Sequence, residues 1–214
     1  MGAQEKFPGV SIVNGRLAVN ANHSFFGEIV EKGYRFWDPN RSKLGAALMK
    51  GLKELPIKFG SSVLYLGAAH GFTTSFISDI VGSAGIIYAV EFSERCFKEL
   101  LPIAEKLKNV VPIKGDARMP ETYSWIEKMD VVYCDIADPQ QTEVAIRNCS
   151  AFLKPKGYLM IAIKTQSIDV TAQPATVAQA EADKLRKAGF DVLEVLNLEP
   201  FEEKHYFIVA RSRA

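Results

Sequence analysis

The sequence is poor in cysteine, with only Cys96, Cys134 and Cys149. That is an odd number with no C-x-x-C pair, which excludes a disulfide framework and a zinc knuckle, so no metal site is expected and a reducing, cytoplasmic setting fits. Long hydrophobic runs are also missing. No apolar stretch reaches the roughly 18 residues of a membrane span, and the polar opening segment 1–8 has no apolar core of a signal peptide, so neither is expected. An excess of one charge is absent as well: 26 Lys and Arg face 25 Asp and Glu, a net charge of +1. A protein that grips nucleic acid unaided carries a clear basic excess, so an RNA substrate here implies partners that supply much of the grip. No internal repeat, low-complexity tract or G-x-G-x-x-G occurs. The last absence speaks against a nicotinamide dehydrogenase.

What is present is ordinary globular material, 214 residues with 48% hydrophobic and 24% charged, which suits one α/β domain with a small appendage. Residues 8–37 read as short antiparallel strands. Val10–Val13 and Arg16–Asn20 flank Asn14-Gly15, a strong hairpin signal, and Glu28–Val30 and Tyr34–Trp37 flank Lys32-Gly33. A helix is predicted over 41–54 from the spacing of Leu44, Ala47, Leu48 and Leu52. These elements are expected to form a small subdomain over 1–54. From 55 to 214 strands and helices alternate, with strands at Ser62–Leu66, Ile86–Val90, Val110–Lys114, Asp130–Cys134 and Tyr158–Ile163, and helices at 73–81, Ser93–Leu107, Thr142–Leu153 and Ala175–Ala188. The closing strands Phe190–Leu198 and His205–Ala210 are separated by too few residues for a crossover helix, so they are predicted to pair antiparallel. The expected fold is therefore a Rossmann-like methyltransferase sheet, mostly parallel with an antiparallel last strand, behind an N-terminal antiparallel β subdomain.

In open α/β sheets ligands dock beyond the carboxyl ends of the strands. The first of the alternating strands leads into Gly67-Ala68-Ala69-His70-Gly71-Phe72-Thr73-Thr74, small residues that admit a ligand to the backbone before a helix N-terminus. Two glycines in a loop are weak evidence alone. The next three strands each end near an acid: Glu91, placed to accept from ribose hydroxyls, Asp116, placed to accept from an adenine amino group, and Asp135. A lone acid at any of these positions would read as a solvated side chain or helix cap. Three in succession after a glycine loop point to an adenosyl cofactor, S-adenosyl-L-methionine. Lys164 follows the fifth strand and is expected beside Asp135. His23 reads as solvated, His70 as flanking the cofactor, and Trp37 and Trp125 as packing residues. Arg35, Arg41 and Lys43 form a modest basic cluster, either a solvated face or a phosphate contact.

Several ordered motifs then carry a resemblance. Tyr34 to Leu44 (YRFWDPNRSKL), Glu91-Phe92-Ser93, Gly115 to Arg118 (GDAR), Asp135 to Thr142 (DIADPQQT), Ile163-Lys164 and Leu198 to His205 (LEPFEEKH) resemble the signatures of the fibrillarin family over nearly the whole chain. The chain is similar to the archaeal form, since the glycine/arginine-rich tail of eukaryotic members is absent; Asp138 departs from the glutamine common in the family. The resemblance implies a box C/D ribonucleoprotein 2′-O-methyltransferase acting on ribosomal and possibly transfer RNA. It implies a catalytic tetrad of Lys43, Asp135, Lys164 and His205, and cofactor contacts at Gly67, Ala69, Thr73, Thr74, Glu91, Phe92, Asp116, Ala117, Asp135, Ile136, Ala137 and Asp138. It further implies a Nop-domain scaffold protein, a kink-turn-binding ribosomal-type protein, a box C/D guide RNA and the target RNA as partners. Within the tetrad, Lys164 is either a base, if burial and nearby Lys43 depress its pKa, or a fixed charge that stabilises a developing alkoxide. The competing readings are a methyltransferase of a protein or small molecule, a nicotinamide dehydrogenase, and a non-catalytic assembly subunit.

Overall fold

The structure is a computed structural model that describes residues 2–214; Met1, the first position of the subdomain expected over 1–54, lies outside them. Five antiparallel strands come first: β1 (Ala3–Phe7), β2 (Val10–Val13), β3 (Arg16–Asn20), β4 (Val30–Glu31) and β5 (Tyr34–Phe36), in the spatial order β1-β2-β3-β5-β4. Both predicted hairpin turns are present, with Asn14-Gly15 and Lys32-Gly33 at positive φ, the backbone that a two-residue turn demands. β1 was not foreseen. Its sequence AQEKF offers no apolar alternation, and it pairs with β2 as a largely exposed edge strand.

The helix expected over 41–54 is shorter. A 3-10 turn at Pro39–Arg41 precedes α1 (Lys43–Met49), and Ser42 caps α1 by accepting from the Gly45 N–H at 3.2 Å. Gly51, at φ 94°, ends it. The Gly51 and Leu52 N–H groups turn back to the Leu48 and Ala47 carbonyls, the glycine-terminated helix end in which an apolar residue follows and packs down.

The larger sheet contains β6 (Ser62–Leu66), β7 (Ile86–Glu91), β8 (Val110–Lys114), β9 (Met129–Cys134), β10 (Leu153–Lys164), β11 (Phe190–Asn197) and β12 (His205–Ser212), in the order β11-β12-β10-β9-β6-β7-β8. β12 runs antiparallel between β10 and β11, and the pairs on the other side of β10 are parallel. The connecting helices are α2 (Phe72–Val81), α3 (Glu94–Leu107), α4 (Gln141–Phe152), the single turn α5 (Thr165–Ile168) and α6 (Pro174–Lys187). β10 starts five residues earlier than expected because Leu153 already pairs with Met129, before an irregularity that ends at Tyr158.

Side chains alternate across these strands and build a core on each face. One face holds Val63, Tyr65, Val131, Tyr133, Met160, Ala162, Phe207 and Val209, and it packs against α1, α2 and the N-terminal sheet through Leu44, Leu48, Trp37 and Leu17. The N-terminal sheet thus shares its core with the larger one. Trp37 stacks on Phe76 with ring centroids 4.5 Å apart, whereas Trp125, expected as a packing residue, is 63% exposed. Cys134 and Cys149 are buried free thiols. Among the described residues no helix is long and apolar enough to cross a membrane and no cluster of metal-ligating side chains occurs.

Candidate active site

The chain leaves β6 toward β7 and β8, then returns on the other side of β6 as β9. The switch point is therefore the gap between the carboxyl ends of β6 and β9. There the Asp135 N–H donates to the Leu66 carbonyl at 2.9 Å. Gly67 follows at φ 82°, and a Cβ on it would run into the Asp135 carbonyl oxygen and stand 2.9 Å from Ile136 Cγ2. Only glycine lets the loop pass so close to the neighbouring strand. Ala69 also lies in the left-handed region, at φ 49°, a conformation that costs a non-glycine residue and clusters at ligand sites. Its N–H is held by Glu91 Oε2 at 2.7 Å, while Glu91 Oε1 accepts from the Ser93 N–H at 2.6 Å. The buried Glu91 carboxylate is thereby fixed, with lone pairs left over for a ligand.

A cavity of about 300 Å³ opens at this point, lined by Gly67, Ala69, Glu91, Phe92, Asp116, Ala117, Asp135, Ile136 and Ala137 from the expected set. It is large enough for a nucleoside-sized ligand. Glu91 and Asp116 give it carboxylate acceptors, and Phe92, 64% exposed at its mouth, gives an aromatic face. Lys114 and Arg118 flank that ring, 5.3 and 5.9 Å from its centroid. Arg118 also grips Asp116, with Nη2 2.6 Å from Oδ2, and that hydrogen bonding holds the carboxyl below the usual carboxylate range. The acceptors, the aromatic face and the glycine cradle fit an adenosyl group.

Three of the expected residues do not line this cavity. The Thr73 hydroxyl donates to Ser42 Oγ at 2.9 Å and locks α2 to the cap of α1; the Thr74 hydroxyl is buried without a hydrogen-bond partner; neither lines the cavity. Asp138 Oδ1 accepts from the Gln140 N–H at 2.7 Å, at the entrance to α4. His70 packs edge-on against Phe26 instead of entering the cavity. Conversely Cys96 and Arg118 line it unforeseen, although Arg118 was legible as the last residue of the GDAR motif.

Three of the four reactive-end candidates share one sheet face by simple alternation. Asp135 lies two residues beyond Tyr133, Lys164 two beyond Ala162, and His205 two before Phe207, so each continues a row that faces α1. Lys164 and His205 are direct cross-strand partners. Lys43, at the start of α1, reaches Asp135 with Nζ 3.4 Å from Oδ1. Burial works to lower the Lys43 pKa, but the Asp135 and Glu202 carboxylates outweigh it and the ammonium holds its proton more tightly than an ordinary lysine. Lys164 is exposed, and Lys43 is tied to Asp135. Of the cluster Arg35, Arg41 and Lys43, Arg35 is fully buried, paired with Glu28 and with Asp79 at 2.8 Å, and is no surface for phosphate. His23 is exposed, as expected, and its ring also bonds Asp79 at 2.9 Å.

A seven-stranded Rossmann-like sheet with an antiparallel last strand and an adenosyl-shaped cavity at the switch point defines a methyltransferase of the S-adenosylmethionine-dependent class. The family model for fibrillarin matches residues 3–214, and the chain belongs to the fibrillarin family. It is 50% identical to the fibrillarin-like rRNA/tRNA 2′-O-methyltransferase of Methanopyrus kandleri, over 88% of this chain and 83% of that protein. The crystal structure of Aeropyrum pernix fibrillarin with natively bound S-adenosyl-L-methionine matches with a TM-score of 0.88 and 40% identity, covering 98% of each chain. Fibrillarin from a fibrillarin/Nop5p complex matches with a TM-score of 0.91 and 39% identity, covering 99% of this chain and 100% of that one.

Proposed function

We propose that this protein transfers a methyl group from S-adenosyl-L-methionine to the 2′-hydroxyl of a ribose in ribosomal or transfer RNA, within a box C/D guide RNA assembly. The observation that carries the reading is the set of Asp135, Lys164 and His205 at the ends of three neighbouring strands, with Lys43 reaching Asp135 from α1, beside the adenosyl-shaped cavity. The donor supplies a methyl carbon activated by a sulfonium sulfur. Glu91, Asp116 and the Gly67–Ala69 loop hold its adenosyl part, and Phe92 covers the base. Asp135, joined to Lys43 and lining the cavity, orients the reacting end. Lys164, exposed and charged, stabilises negative charge on the attacking oxygen. The relatives' printed activity and the neighbour with bound donor support this reading. The fibrillarin/Nop5p complex supports a Nop-domain scaffold as partner, and the near-zero net charge supports reliance on a kink-turn-binding protein and the guide RNA for grip on the target.

Lys164→Ala tests the assignment. Removing a fixed charge that acts on the transition state is expected to lower kcat about 10²–10³-fold, with S-adenosylmethionine affinity by calorimetry unchanged. Near-normal methylation by that variant removes Lys164 from the mechanism.

A further inference from the structure

A ribose hydroxyl keeps its proton at neutral pH, so a base must take it as the oxygen attacks. Lys43 is committed to Asp135 and holds its proton tightly. Lys164 is exposed at the end of β10, across the strand pair from His205. His205 is different. Its Nδ1 lies 2.7 Å from the Glu203 carbonyl oxygen. A carbonyl only accepts, so Nδ1 must be the donor, and in the neutral ring the free lone pair then sits on Nε2. The same Nδ1 is 3.9 Å from Glu202 Oε2, and the His205 side chain is 14% exposed. Glu202 also acts on Lys43 across the site. One carboxylate on the loop between β11 and β12 therefore addresses two members of the tetrad. The charged groups at this end of the site are Lys164, across the strand pair from His205, Glu202, Glu203 and Lys204 on its own loop, and the Lys43–Asp135 pair that Glu202 also faces.

We infer that His205 Nε2 accepts the hydroxyl proton, and that Glu202 is a positioning residue that steadies the imidazolium formed in that step. The inference rests on the methyl-transfer reading above. The oxygen bonds to the methyl carbon as the carbon–sulfur bond breaks, its electron pair stays on sulfur, and the proton passes to Nε2 and then to water. The Glu203 carbonyl keeps the ring in the one tautomer able to do this.

The tautomer is read directly by ¹⁵N NMR of the full-length chain labelled at histidine, with His205→Asn to assign the ring. We expect a protonated Nδ1 and an unprotonated Nε2 in the neutral ring; a protonated Nε2 in the neutral ring overturns the proposal, whatever the substrate. In the assembled complex, His205→Gln is expected to lower kcat about 10²–10⁴-fold, with donor affinity by calorimetry within about twofold of the parent. A raised KM for target RNA with kcat unchanged makes His205 a binding group and overturns its role as base. Glu202→Gln is expected to lower kcat about tenfold with donor affinity unchanged, and to cost nothing further in the His205→Gln background; equal losses in both backgrounds remove Glu202 from the account. If the parent complex transfers no methyl to a ribose hydroxyl, the methyl-transfer reading fails, and the tautomer measurement registers that failure separately.

Discussion

Gly67 bears the sharpest steric demand in the cavity. An added methyl meets the Asp135 carbonyl and Ile136 while the backbone stays at φ 82°, a combined strain of about 2–3 kcal/mol that must displace the loop. Gly67→Ala is expected to weaken S-adenosylmethionine binding by roughly 10²-fold, read by calorimetry, with the circular dichroism of the sheet retained. Arg35 is the matching case away from the cavity. It is buried among Glu28, Asp79 and Ser75, with its guanidinium 3.9 Å from the Phe76 ring centroid. Burial alone would raise the Glu28 pKa, but hydrogen bonds from Ser24, Arg35 and the Phe26 N–H bring it down to about 2. A carboxyl depressed in this way contributes stability above its unfolded value, and that contribution fades as pH falls through about 4 toward about 2. Burial pushes the Asp79 carboxyl up despite Arg35 and His23, which works in the opposite sense. Arg35→Met leaves both carboxylates without their cation and should cost about 3–5 kcal/mol by urea unfolding at neutral pH, with a smaller deficit at pH 2–3, where Glu28 protonates. A deficit that does not change with pH contradicts the role given to Glu28.

The elements show how far the sequence carries and where it stops. The strand order was enough to expect Lys164 beside Asp135, whereas His205 joined them only through the family resemblance; in the structure each of the three extends a row of buried residues by two. The glycine loop and the acids after β7 and β8 were readable for the same reason: strand ends locate themselves. Glu202 was legible only as a member of the LEPFEEKH motif, since the loop that brings it near Lys43 and His205 has no periodicity. The partner of Arg35 was not readable, since Asp79 lies 44 positions away. The end of α1 was misjudged because Leu52 keeps the helical spacing while Gly51 has already broken the backbone. The segment after α1 is then held by β11: Glu194, beside the irregularity in that strand, accepts from the Lys53 N–H at 3.0 Å and the Glu54 N–H at 2.9 Å. Glu194→Ala should therefore lower stability by about 1–2 kcal/mol and speed amide exchange at residues 53 and 54 more than in the central strands β6 and β9. Uniform exchange rates across these segments would show that the clamp is not local.

As a whole molecule the chain joins a rigid cofactor cavity to a surface of almost balanced charge, with a net +1 over 214 residues. Affinity for a polyanion scales with the phosphates a protein neutralises, and this balance leaves little for an unaided grip. The isolated chain should therefore bind S-adenosyl-L-methionine yet methylate RNA poorly, and the rate should rise when the scaffold, the kink-turn-binding protein and the guide are added. The most direct measurement is methyl transfer from labelled donor in the reconstituted assembly, with two targets that differ only in the 2′-hydroxyl of the guided nucleotide. The account predicts label on the ribose target, in a linkage resistant to alkaline hydrolysis, and none on the 2′-deoxy target; label on the 2′-deoxy target, on a base or on protein would contradict it.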